Sequence, residues 1–144
     1  HPMTSMTEVA EVLGLPTTPA VGSGFALIAR IEEGLPLDTL ERVVRLVAPD
    51  DARFKYRLVP KATYERRKAS KVLSPEQGTR VARLAKVWSA AVDVWRDEAA
   101  ARDFLFRPHP MLEDELPVDV VLRSEFGAEL VIDILGRLKY GSAA

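Results

Sequence analysis

The segment LSPEQGTRVARLAKVWSAAVDVW, residues 73–95, does most to restrict what this chain can fold into. Ser74 stands where a helix N-cap belongs. Pro75 follows in the first turn, where a missing N–H is harmless, and Gln77 completes a capping box. Val81, Leu84, Ala85, Trp88, Val92 and Trp95 then recur at helical spacing and make one apolar stripe. A long helix with two tryptophans on one stripe must be covered by other elements, so the rest of the chain is asked first what it supplies to cover it.

It supplies more helices. TEVAEVLGL reads as a weak helix, and the turn formers of LPTTPAVGSG as a linker. GFALIARIEEG carries Phe25, Leu27, Ile28 and Ile31 before a closing Gly34. LPLDTLERVVRLVAPDD places Leu37, Leu40, Val43, Val44 and Val47 at helical spacing, with Pro36 near its start and Pro49 past its end; both segments read as core helices. DDARFKYRLVPKATYERRKAS reads as two short helices about a break at Pro60, because proline disfavours helix in the residue before it and tolerates a helix start after it. DEAAARDFLF is a helix capped by Asp97 and stopped by RPHP. LPVDVVL fits a short strand or one helical turn. SEFGAELVIDILGRLKYG closes as a helix capped by Ser124, with Phe126, Leu130, Val131, Ile134, Leu135 and Leu138 facing inward and Gly141 at its stop. The fold class is all-α.

Composition narrows the function. With no cysteine, disulfides, thiolate zinc sites and thiol nucleophiles fall together, which suits a cytoplasmic chain. No apolar run approaches the roughly 18 residues of a membrane span. His1 and Pro2 precede Met3 and read as a tag remnant. Of the titratable candidates, His109 sits between two prolines on a loop and reads as structural. GSG at 22–24 lacks the lysine of a phosphate loop and reads as linker, and Glu113–Glu115 reads as a solvated turn. No catalytic set, metal site or cofactor is expected.

Net charge is only -1, but its distribution is uneven. Between Arg53 and Lys71 eight cations face one acid, Glu65; from residue 101 onward five cations face eight acids. A helix, a tight turn and a basic helix is the outline of a helix-turn-helix. Lys61, Arg66, Arg67 and Lys68 are placed to approach phosphates, and Thr63 and Tyr64 to hydrogen-bond phosphates or base edges. Four phosphate contacts per protomer in a dimer imply a salt slope of roughly -7. The plainer alternative for ERRK is a solvated face. Trp88, Val92 and Trp95 read as core, with some of that stripe available as a dimer seam.

From residue 73 to 141 the chain resembles the antitoxins of the Xre/MbcA/ParS family. The resemblance rests on the LS cap with Arg80, the long helix, the Ala101, Phe104, Leu105 segment, the turn RPHPML, the second proline in LPVDVVL, and the ending RLKYG. It departs at four places: Phe104 stands where tryptophan is common, His109 where asparagine is, Glu113 and Asp114 where glycines are frequent, and Gly78 where serine is usual. The resemblance implies three parts: residues 1–20 as a flexible N-terminus, 21–72 as an Xre-like helix-turn-helix region, and 73–144 as a toxin-binding domain. It implies a homodimer that binds a RES-domain toxin, one that consumes NAD or transfers ADP-ribose, and covers the entrance to its active site. It further implies binding of operator DNA.

Under that reading Arg137, Lys139, Tyr140 and Gly141, with His109 and Met111, contact the toxin. Without it, Arg137 and Lys139 merely complement the negative end of the last helix, and Tyr140 packs as a staple. The alternative function is a stand-alone helix-turn-helix repressor whose C-terminal half only dimerises.

Overall fold

The computed structural model of the chain describes residues 6–16 and 24–141. Among the described residues the helices are α1 (Met6–Leu13), α2 (Gly24–Glu33), α3 (Leu37–Val47), α4 (Lys55–Leu58), α5 (Lys61–Ser70), α6 (Pro75–Trp95), α7 (Glu98–Leu105), α8 (Pro117–Arg123) and α9 (Glu125–Tyr140), with a 3-10 turn at Pro110–Leu112. No strand occurs among the described residues; two isolated bridges, Pro36 with Val72 and His109 with Glu115, pin loops together. No helix among the described residues is long and apolar enough to cross a membrane.

The capping box at the start of α6 forms as expected. The Gln77 N–H donates to Ser74 Oγ at 3.2 Å and the Ser74 N–H to Gln77 Oε1 at 2.9 Å. Yet α6 is not a one-stripe helix. Val87, Ala90 and Ala91 are as fully buried as Val81, Leu84 and Ala85, because α1, α3, α7, α8 and α9 surround it. Its alanines and Ser89 keep the girth small enough for that many neighbours.

Three expectations are corrected. The N-terminus is not loose throughout: α1 buries Val9, Ala10 and Leu13 against α6 and α3, and Arg42 of α3 donates through Nε to the Val12 carbonyl at 3.1 Å. Residues 1–5, and with 17–23 most of the expected linker and of GSG, lie outside the described residues. In α2 only Leu27 is buried; Phe25 is 87% exposed and Ile28 also faces out. LPVDVVL, open between strand and helix, is helix, since Pro117 opens α8 and Val118, Val120 and Val121 all find cover. In α9, Val131, Ile134 and Leu135 are buried, whereas Phe126 (79% exposed), Leu130 and Leu138 are not. At about 100° per residue Phe126 and Leu130 fall on the flank away from α6 and α8, whereas Leu138 lies in line with Val131 and Ile134 and is exposed in the last turn.

The α8–α9 corner depends on one glycine. A Cβ at Gly127 would lie 2.9 Å from the carbonyl carbon of Val120, and closer still to its oxygen. Ser124 caps α9 in the same corner, accepting the Gly127 N–H at 3.1 Å.

Candidate functional site

α5 is fixed before any partner arrives. Leu58 and Val59 are fully buried in the turn that precedes it. At its far end the Leu37 N–H donates to the Lys71 carbonyl at 2.9 Å, and the Leu73 N–H to the Leu35 carbonyl at 2.8 Å. Tyr64 is the bolt. It is 4% exposed, meets Tyr56 edge-on at 5.8 Å, and its hydroxyl donates to Glu41 Oε2 of α3 at 3.1 Å. Burial, reinforced by the Glu41 carboxylate, pushes its phenol up to about 12. Tyr64 therefore does not reach bases or phosphates; it is part of the scaffold.

Thr63 is half-buried and accepts a hydrogen bond from Arg66 at 3.3 Å. Lys61, Arg66 and Lys68 are exposed and Arg67 half-exposed. Lys68 is shared between Glu65 at 3.5 Å and the Tyr64 ring at 5.8 Å. Lys55 of α4 sits 4.6 Å from the Tyr64 ring and joins the same surface, a cation that the reading of α5 alone passed over.

The second site is the end of α9. Lys139, expected to be free, is tied to Asp93 of α6, and that carboxylate holds the ammonium above the ordinary lysine range. Arg137 is exposed and forms no ion pair among the described residues. Leu138 is half-exposed, and Tyr140, 60% exposed, lies 5.4 Å from the Lys139 ammonium. Gly141 takes φ 76° and its N–H closes on the Arg137 carbonyl, with open space where a Cβ would stand. So the tip is a rigid post whose lysine is the tie and whose arginine and tyrosine face solvent. Asp93 was missed by sequence reasoning, although a lone acid in the apolar run SAAVDVW is a visible signal.

His109 and Met111 lie on the loop between α7 and α8. His109 caps the 3-10 turn, its Nδ1 accepting the Met111 N–H at 3.1 Å, and Phe104 meets its ring edge-on at 5.8 Å. Met111 is exposed. Glu113 and Asp114 turn the chain with φ 54° and 65°, the backbone that glycine adopts most readily. Arg123 latches the loop through Glu115, whose carboxyl it holds below the usual range. Trp95 meets Phe104 at a tilt, with ring centroids 5.1 Å apart, so the end of α6 joins this loop on one side and, through Asp93, the end of α9 on another.

The tryptophan stripe divides. Trp88 is 2% exposed beneath the Arg102 guanidinium, 5.6 Å away, so it has no surface to offer a second chain. Val92 lines a groove of about 330 Å³ between α1, α3 and α6, and Trp95 is partly covered by Phe104. Among the described residues no group of three metal-ligating side chains occurs.

The two halves are joined as well as adjacent. Arg57 of α4 pairs with Asp119 of α8 at 2.6 Å, and Arg83 of α6 with Glu125 of α9 at 3.1 Å. A bolted basic helix behind a tight turn, backed by a helical unit with an exposed basic and aromatic tip, defines a helix-turn-helix protein carrying a protein-binding domain. Residues 26–86 match the antitoxin Xre-like helix-turn-helix domain, and residues 90–141 the antitoxin Xre/MbcA/ParS C-terminal toxin-binding domain. The two matches meet inside α6. A curated relative, antitoxin Xre of Yersinia enterocolitica, is 28% identical over 143 residues, spanning 97% of this chain and 93% of its own. The chain belongs to the Xre/MbcA/ParS antitoxin family.

Proposed function

We propose that this chain is the antitoxin of a toxin–antitoxin pair, acts in the cytoplasm, and neutralises a RES-domain toxin that consumes NAD or transfers ADP-ribose. The observation that carries the reading is the tip of α9: Arg137 and Tyr140 project from a helix held at its end by Lys139 and Asp93. A preordered post loses less entropy on binding than a loose tail, so it suits insertion into a cleft. Arg137 pairs with acidic groups at the cleft, Tyr140 and Gly141 exclude substrate, and Lys139 keeps the post in place. Met111 touches the toxin beside it, with His109 holding the turn.

The test is co-expression with the toxin encoded beside this gene. The parent chain rescues growth and co-purifies with the toxin, and Arg137→Glu with Tyr140→Ala abolishes both while the variant stays folded. Deleting residues 139–144 and finding neutralisation unchanged would overturn the assignment.

The exposed cations of α5 support a second activity, repression of the chain's own operon. Lys61, Arg66, Arg67 and Lys68 take phosphates, each lowering the salt slope by about 0.9. Replacing Arg66 with alanine should flatten the slope measured on the operon's promoter by about one unit.

A further inference from the structure

A cleft of about 670 Å³ opens between the two halves, walled by α4 and the start of α6 on one side and by the α8–α9 corner on the other. That volume is within the range of small-molecule sites, about 300–1,000 Å³. Arg57, Arg80, Arg83 and Arg123 line it, and every cation on its wall is an arginine. Each is held from the side. Arg57 pairs with Asp119 at 2.6 Å, Arg83 with Glu125 at 3.1 Å, and Arg123 with Glu115. Arg80 pairs with Glu76 at 2.6 Å and also donates to the Leu58 carbonyl at 3.3 Å. Those bonds use one or two of the five N–H groups that each guanidinium carries. Arg57–Asp119 and Arg83–Glu125 tie the halves together. The other two pairs stay within one half, so tying does not explain why Arg80 and Arg123 face the same cleft. The acids on the wall are Glu76 and Glu125, which leaves an excess of two positive charges.

We propose that this cleft binds a small phosphate ester, its dianion bridging the arginines and its organic part lying on Pro60 and Leu122, the apolar residues of the wall. The planar guanidinium fork meets two phosphate oxygens at once, a contact that lysine cannot make, and this accounts for an all-arginine wall. A dianion balances the excess charge. Four like charges turned into one cavity repel one another, so an anion there relieves a repulsion built into the fold. Arginines already held by carboxylates lose little side-chain freedom when the ligand arrives. The ligand touches α4, α6 and the α8–α9 corner together and so clamps the two halves. Neither the cations of α5 nor the tip of α9 lines the cleft, and the proposal rests on neither the DNA reading nor the toxin reading.

The test is isothermal titration calorimetry on the full chain with inorganic phosphate and with phenyl phosphate, in chloride buffer and above the second phosphate ionisation at about 6. Both should bind once per chain, the phenyl ester more tightly because its ring covers Leu122 and Pro60. Arg80→Gln and Arg123→Gln break no tie between the halves, and each should weaken binding roughly tenfold, the worth of one charge-assisted contact. Glu76→Gln removes a competing charge and should tighten binding roughly threefold, a gain that misfolding cannot imitate. Arg107→Gln loses an exposed pair with Asp103 outside the cleft and should bind as the parent does. The backbone of DNA offers the same phosphate chemistry, and the salt slope of DNA binding separates the two sources, since Arg123→Gln should leave it unchanged. No saturable heat with either probe, glutamine variants that bind like the parent, a phenyl ring that adds nothing, or a Glu76→Gln that binds no tighter overturns the site. A DNA salt slope flattened by about one unit in Arg123→Gln overturns the small ester as its occupant.

Discussion

Gly127→Ala tests whether the α8–α9 corner is set by backbone contact. The added methyl would stand 2.9 Å from the Val120 carbonyl carbon, and a carbonyl held in α8 cannot rotate away as a side-chain tip can. Forcing a group into a filled site costs about 1–3 kcal/mol, and here the upper end applies. Displacing residue 127 also stretches the bond to Ser124 Oγ, a cap worth about 1 kcal/mol, while alanine returns about 1 kcal/mol of helix propensity. The net loss is roughly 2–3 kcal/mol, or about 6–12 °C in melting temperature for a chain of this size. Gly78→Ala is the matched control. It is buried and helical too, but its Cβ would meet Leu35 Cδ1 at 3.4 Å and Ile31 Cγ2 at 3.5 Å, ordinary contact, so the propensity gain of about 1 kcal/mol survives. Calorimetry on both variants decides the matter. Gly127→Ala melting at or above the parent temperature would falsify the corner as drawn. The site should respond as well: residue 140 lies about 20 Å along the helix from 127, so a tilt of about 10° moves the tip by about 3 Å. Toxin capture measured well below the melting point should therefore weaken.

Three further outcomes follow from single interactions. Tyr64→Phe removes the hydrogen bond to Glu41 and costs about 1 kcal/mol near neutral pH. Because the folded phenol titrates at about 12 rather than near 10, its stabilisation is complete below pH 10 and is lost as pH climbs toward 12. The parent's advantage in urea should then shrink between pH 9 and pH 11, by up to about 1.4 kcal/mol per unit above 10, and an unchanged gap contradicts the burial of that hydroxyl. Glu113→Gly relieves a left-handed backbone and should stabilise by about 1 kcal/mol in thermal melts, more than Asp114→Gly, since aspartate tolerates that region better. Arg123→Gln removes the partner that lowers the Glu115 carboxyl, so its NMR titration should move up toward 4.5; no movement means that the latch does not form in solution.

What the sequence made legible was local. Ser74, Asp97 and Ser124 each act on an N–H within three residues, so their caps are written beside the helices they start. The positive φ of Gly141 needs no partner at all. What escaped depends on which neighbour arrives from far along the chain. Phe126, Leu130 and Val131 are equally apolar, and only the approach of α6 and α8 decides that Val131 is core and the other two are surface. The same holds for charge. Lys139 and Arg137 are indistinguishable by pattern, but Asp93, 46 residues away, claims the lysine and leaves the arginine to solvent.

That sorting gives the end of α9 its character. A helix end with two free cations and a frayed aromatic would be a generic basic tail. With one cation spent on Asp93, the remaining Arg137 is carried at a fixed distance and angle from α6, and every group tied to α6 shares that reference. Through Trp95 and Phe104 the reference extends to the Met111 loop; through Arg57 and Asp119 it extends to α4, next to the helix proposed to read DNA. A toxin that shifts α9 against α6 must strain ties that also hold the helix-turn-helix. If Asp93→Asn loosens the tip, it should weaken toxin capture yet leave salt-dependent promoter binding unchanged. Arg57→Ala should leave capture intact and alter only how much the bound toxin changes promoter affinity. Equal effects of the two variants on both assays would mean that the ends of the molecule are not connected through α6.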